Sequence, residues 1–270
     1  MLTFPARPLL PSAHASLLPR EHGAYFQLGL PLATALAVTR PTPSALWLTA
    51  ASAACFLAFE PLRVALGHRG ARRQREHRLP AWRQGVSLAL LGLACGVLAV
   101  LGLEPAHRPY LALPIILGLE VLLMAWGHQE RTVSGEVLAA LALSACAVPV
   151  ALEGGMAPGA ALSLWGTFGL GFSVATVAVH TVIRAHKPRV HRAGPRAAGM
   201  AAVGLGLAAA VAWAVLAGLS PWRVAALLPP AAVALSACAL LPSPRHLKRL
   251  GWSFAAAGLV TTVLLGAGLS

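Results

Sequence analysis

Aspartate is absent from this chain of 270 residues, lysine occurs only at Lys187 and Lys248, and all charged residues together make up 11% of it. Every one of the eight carboxylates is therefore a Glu, which excludes chemistry that depends on an Asp. So little charge also excludes an ordinary soluble domain, in which about a quarter of the residues are charged. Cysteine is sparse as well: Cys55, Cys95, Cys146 and Cys238 stand far apart and form no CxxC pair. They read as small packing residues and suggest neither a disulfide framework nor a zinc site. The sequence calls for no other metal and no cofactor.

What is present is apolar and basic at once. Hydrophobic residues make up 57%, the mean hydropathy is +0.72, and 21 Lys and Arg face 8 acids for a formal charge of +13. Such a charge ordinarily points to nucleic acid. A nucleic-acid-binding face sits on a soluble fold, however, and no soluble fold fits this composition. The expected fold class is all-α, a polytopic membrane helix bundle.

A hydrocarbon core about 30 Å thick takes about 20 apolar residues in helix. Nine such windows occur, at 25–38, 45–59, 85–103, 110–126, 136–152, 160–183, 197–219, 224–241 and 252–269. The first two are short between their flanking charges. Together the nine consume residues 25–270 as one transmembrane domain and leave no room for a soluble one. Residues 1–24 read as a cytosolic tail, because Pro5, Pro8, Pro11 and Pro19 interrupt any apolar core that a signal peptide would need.

Charge orients the bundle. The tail and the even-numbered connections carry 18 of the 21 basic residues, and the odd-numbered ones carry only Arg40, Arg108 and Arg223. The positive-inside rule then places the N-terminus in the cytosol and, with nine spans, the C-terminus outside.

Two basic connections stand out. One runs from Arg63 through His68 and Arg69 to Arg83; the other runs from Arg184 to Arg196, and 121 residues separate their first arginines. Four spans fill that interval, which suggests four-helix pseudo-repeats at about 45–153 and 160–270. The plainer reading of these clusters is orientation and contact with anionic lipid, at about 1 kcal/mol per basic residue. Arg mixed with His points further, because guanidinium groups grip phosphate in bidentate fashion and imidazoles add donors and acceptors. On that reading the two connections form an anion cradle open to the cytosol.

Ionisable groups inside spans are costly and usually face an interior or a wet cavity. Ser173, Thr176, His180 and Arg184 fall on one helical face at intervals of 3, 4 and 4. Glu60, before Pro61, is read either as the partner of Arg63 or as a carboxylate sharing a cavity with His180. Glu120 lies deep in the fourth span, where a carboxylate should be protonated or paired. Glu136 opens the fifth span after the turn that holds Arg131, and it either complements the helix dipole or joins the site. His22 precedes the first span within Arg20-Glu21-His22-Gly23-Ala24-Tyr25. The candidate ligand-binding set is therefore His22, Glu60, Arg63, His68, Glu120, Arg131, Glu136, His180 and Arg184.

The segment from Arg20 to Tyr25, with Pro31 behind it, resembles the opening signature of the YwiC-like bacterial membrane proteins. Glu130-Arg131-Thr132-Val133-Ser134-Gly135-Glu136 looks like that family's turn into its fifth helix. The resemblance implies an integral membrane protein without implying a reaction. More distantly, nine helices with polar connections after the second and sixth are similar to the UbiA-type prenyltransferases. That architecture implies Asp-rich motifs holding Mg²⁺ and a prenyl diphosphate, and here Glu60 is the single acid near the first position and none stands at the second. Three readings remain: a bundle that binds or processes a phosphate-bearing or isoprenoid lipid, a small-solute or proton-coupled transporter using Glu120 and His180, and a non-catalytic assembly partner. Membrane lipid is the expected partner, nucleic acid is not, and the oligomeric state is left open.

Overall fold

The computed structural model describes residue 17 and residues 22–187, 192–216 and 221–269. Among these, every regular element is a helix: α1 (His22–Val38), α2 (Pro43–Ala65), α3 (Ala71–Gly102), α4 (Ala112–Trp126), α5 (Val133–Ala145), α6 (Ala147–Glu153), α7 (Pro158–Ala185), α8 (Ala193–Leu216), α9 (Pro221–Ala225), α10 (Leu228–Leu240) and α11 (Leu247–Leu269). Short 3₁₀ turns at Pro105–Leu111 and Pro244–His246 lead into α4 and α11. Eight helical segments are long and apolar enough to cross a membrane, and Gly23–Val38 is a shorter ninth. The described residues thus carry the nine spans expected from hydropathy.

Two of the spans are broken, and proline explains both. Pro149 offers no N–H to the carbonyl of Ala145, and α5 gives way to α6 there. Pro230 likewise withholds a donor from Ala226, between α9 and α10. The freed Ala226 carbonyl accepts instead from the hydroxyl of Thr261 on α11, at 2.8 Å and buried. A backbone group inside hydrocarbon must find such a partner, because water is not there to supply one.

The core is built from small and branched residues. Leu28, Leu32 and Ala35 of α1 meet Val148, Val150 and Leu152 of α6 and Leu164 and Phe168 of α7 in one buried cluster. The α5–α6 span is accordingly the most enclosed, 61% buried over its apolar window, whereas the span ending in α4 is 6% buried and lies at the periphery. Helices α2 and α3 form a close hairpin. At Gly92 an added Cβ would sit 2.8 Å from the Cys55 sulfur, so a larger residue there would force the Cys55 side chain or the hairpin to shift. Many large apolar side chains remain on the outside, among them Leu93, Leu101, Leu123, Trp126 and Val263, a surface that suits lipid and not water.

The basic stretch 63–83 differs from expectation: it is mostly helix. Only residues 66–70 form a turn, with Gly67 and Gly70 at φ of 88° and 96°, and Arg72 to Arg83 ride on the first turns of α3. Arg, Gln, Leu and Ala are good helix formers, so the hydropathy window located the hydrocarbon boundary and not the helix end. At 32 residues α3 is about 48 Å long and overshoots the apolar core by several turns. Likewise α2 continues through Glu60 and Pro61 to Ala65, beyond the expected end at Phe59.

Candidate functional site

The turn between α4 and α5 is a junction for three other elements. Gly127 ends α4 and His128 takes the left-handed region at φ 56°, which His tolerates better than most side chains. The Thr132 side chain accepts from the Gly135 N–H at 3.1 Å and caps α5. Gly135 is packed against the turn's own backbone, since a Cβ there would lie 2.5 Å from the Gln129 carbonyl oxygen. The turn is thereby held tightly enough to aim its side chains.

Three contacts radiate from it. Glu130 forms an ion pair with Arg63 at the end of α2, and the Arg63 guanidinium lies 5.3 Å from the centre of the Phe59 ring. His128 packs its ring 5.2 Å from that of His68, in the turn between α2 and α3. Glu136 Oε2 lies 3.0 Å from His180 Nε2 on α7. Partial burial pushes the Glu130 carboxyl upward, but a backbone hydrogen bond and the Arg63 charge outweigh it, and the group is held below its ordinary value.

Glu60 is 3% exposed and does not take Arg63 as partner. The glycine turn folds the start of α3 back over the end of α2. Arg69 then donates from Nε at 3.0 Å and from Nη2 at 2.5 Å to Glu60 Oε2, and Arg73 stands 3.6 Å from Oε1. The expected local pair, three residues apart, yields to two cations delivered by tertiary folding. Around this network Arg63 Nε, His68 Nδ1 and Glu130 Oε2 are buried without a hydrogen-bond partner among the described residues.

Glu60, Arg63, His68, Glu136 and His180 thus gather around two adjacent turns, although Glu60 and His180 engage different partners. Arg131 and Arg184 are exposed beside them, and Glu120 lies apart, exposed on α4. His22 opens α1, but its side chain lies outside the described residues, as do Arg20 and Glu21. On the α7 stripe, Ser173 donates to its own helix at Gly169 O, 2.6 Å away, and Thr176 is buried. Glu130, His128, Arg69 and Arg73 stood outside the candidate set read from the sequence, although Arg69 and Glu130 lie in stretches it marked. Nor was a pair at the opposite ends of the helices, where His107 Nδ1 lies 2.7 Å from Glu153 Oε1. Rarity of charge signalled these residues as a class, but nothing in the sequence gave their pairing.

A second feature opens on the same face. Between the start of α8 and the end of α10 lies an open groove of about 490 Å³ lined by Arg192, Ala193, Arg196, Met200, Leu240 and Leu241. Arg192, Arg196 and Met200 recur every four residues and share a helix face. Leu241 caps α10 at φ 45°, a conformation uncommon for a side chain of that size. No acid follows Glu153 in the sequence. Glu60, Glu76, Glu130, Glu136 and Glu153 are all engaged with other residues. Arg192 and Arg196 therefore receive no carboxylate from their own half of the chain.

Nine apolar spans, with every charge but Glu120 gathered near the helix ends, define a multi-pass integral membrane protein. Residues 18–151 match the family model described as YwiC-like protein, and through that stretch, about half of the chain, it belongs to the YwiC-like family. The match takes in the α4–α5 turn and ends before α7, so His180 and the arginine groove lie beyond it. No curated protein and no solved structure matches the chain. None of these comparisons shows the UbiA-type arrangement expected from the order of the spans.

Proposed function

We propose that this YwiC-like protein binds a phosphate-bearing lipid of the cytosolic leaflet of a bacterial inner membrane. The observation that carries this reading is the groove between α8 and α10, lined by Arg192 and Arg196 together with Met200, Leu240 and Leu241, with no acid in its half of the sequence. Arg192 and Arg196 bind the phosphate, whose tetrahedral oxygens suit the planar guanidinium fork. Met200, eight residues on and about 12 Å further along α8, lies with Leu240 against the hydrocarbon chain. The ionic network of Glu60, Arg63, His68, Glu130, Glu136 and His180 serves as the frame: most of its charge is already compensated, and it ties α2 and α7 to the α4–α5 turn and α3 to α2. A transporter reading has less support, because the Ala226 carbonyl freed at the break before α10 is consumed by Thr261 and is not left for a passing solute.

Lipid extracted with the detergent-purified full chain and weighed by mass spectrometry tests the reading. Enrichment of anionic, phosphate-bearing lipid is expected in the wild type. Removing a charge-assisted contact should cost roughly tenfold in affinity per arginine. Retention should therefore fall in an Arg192→Ala, Arg196→Ala double variant and persist in an Arg72→Ala, Arg75→Ala control. Equal retention in wild type and double variant would rule the groove out as the site.

A further inference from the structure

Glu120 sits on the outer face of α4, in the span with the least burial of the eight long ones. Its helical neighbours Ile116, Leu117, Leu123 and Met124 are all apolar. Trp126, at the near end of the helix, lies six residues away, about 9 Å along the axis. Lys or Arg at that depth would reach the surface on a long stem, whereas a Glu side chain is short. Its Cα–Cβ bond also leans toward the helix N-terminus, away from the Trp126 end and deeper into the apolar layer. A carboxyl so placed needs a donor, charged or protonated alike.

Among the described residues Glu120 has no hydrogen-bond or ion-pair partner. None of the nine apolar windows contains a Lys or Arg, so a second copy in the same orientation brings no cation to that depth. Across a pair of α4 helices, like groups would approach each other. Around Glu120 the exposed residues Ala112, Ile116, Leu119, Leu123 and Trp126 follow one another at intervals of 4, 3, 4 and 3. That spacing is the seam of a left-handed helix pair, and Glu120 flanks it.

We infer that the outer face of α4 docks a transmembrane helix of another protein, one that presents an Arg or Lys to Glu120 within the apolar layer. The seam supplies packing, and the ion pair supplies the register and the choice of partner. This surface is separate from the arginine groove, so it stands or falls independently of lipid binding.

A benzophenone amino acid placed at Leu123 of the full chain, in its native membrane, tests the docking. A matched probe at Leu93, 63% exposed on α3, serves as the control. The expected result is a Leu123 adduct with a transmembrane segment of a different polypeptide that carries Arg or Lys at the depth of Glu120, absent from the Leu93 probe. Adduct yield should fall roughly tenfold or more in Glu120→Leu and in Glu120→Lys, and return in Glu120→Lys when the partner's basic residue is exchanged for Glu. All variants should retain lipid and melt as the wild type does, because Glu120 is exposed and has no hydrogen-bond or ion-pair partner among the described residues. Adducts with lipid alone, adducts with a second copy, or a yield indifferent to Glu120→Leu would each overturn the inference.

Discussion

Glu60 shows how much one residue carries in a chain so poor in acids. It is buried and compensated by Arg69 and Arg73, residues 9 and 13 positions away. Removing one member of a buried ionic group leaves the others uncompensated, typically at about 3–5 kcal/mol. Glu60→Gln should therefore lower the unfolding temperature of the detergent-purified chain markedly. Adding Arg69→Gln should recover part of that loss, since less charge is then stranded. A Glu60→Gln protein as stable as wild type would show that the network is solvated. The sequence marked Glu60 and Arg63 as important because ionisable groups near hydrocarbon are rare. It misassigned their partners because a helical spacing of three is visible locally, whereas the turn through Gly67 and Gly70 that delivers Arg69 is a tertiary event.

At the scale of elements, the α4–α5 turn holds the bundle's basic face together by charge. The Arg63–Glu130 pair joins it to α2, and Glu136 with His180 joins it to α7. The carboxyl of Glu130 titrates below its ordinary value of 4.5 in the folded protein. A depressed carboxylate contributes stability that is fully present above the unfolded value and lost as the pH falls through the folded one. The difference in thermal stability between wild type and Glu130→Gln should therefore be flat above pH 4.5 and close as the pH drops below it. A gap that widened on acidification would contradict this assignment. Both helix breaks were latent in the sequence as Pro149 and Pro230, yet hydropathy windows ran straight through them, because proline is as acceptable to lipid as its neighbours are. That Thr261 satisfies the Ala226 carbonyl, 35 residues earlier, was not readable at all.

Across the whole molecule, charge separates by side and by half. Basic residues collect on one face, and the stretch after Glu153 has cations without a single acid. If the positive-inside rule orients the chain, alkaline phosphatase fused after residue 269 should be active outside the cytoplasm. The same reporter inserted in the α4–α5 turn should be inactive. The reverse pattern would move the arginine groove to the outer leaflet and with it the source of its lipid.

The sequence by itself determined the class of protein, the number of spans and the side on which positive charge gathers, because each of these follows from local hydropathy and from the length of helix that a bilayer demands. The tertiary structure decided which of the charges are used up and which stay open. Arg63, Arg69 and Arg73 resemble Arg192 and Arg196 in composition and in nearness to the membrane surface, but the first three fold against Glu60 and Glu130 while the last two meet the apolar end of α10. Whether an arginine braces the fold or faces a ligand depends on which carboxylate packing brings within reach, and that distance is not written along the chain.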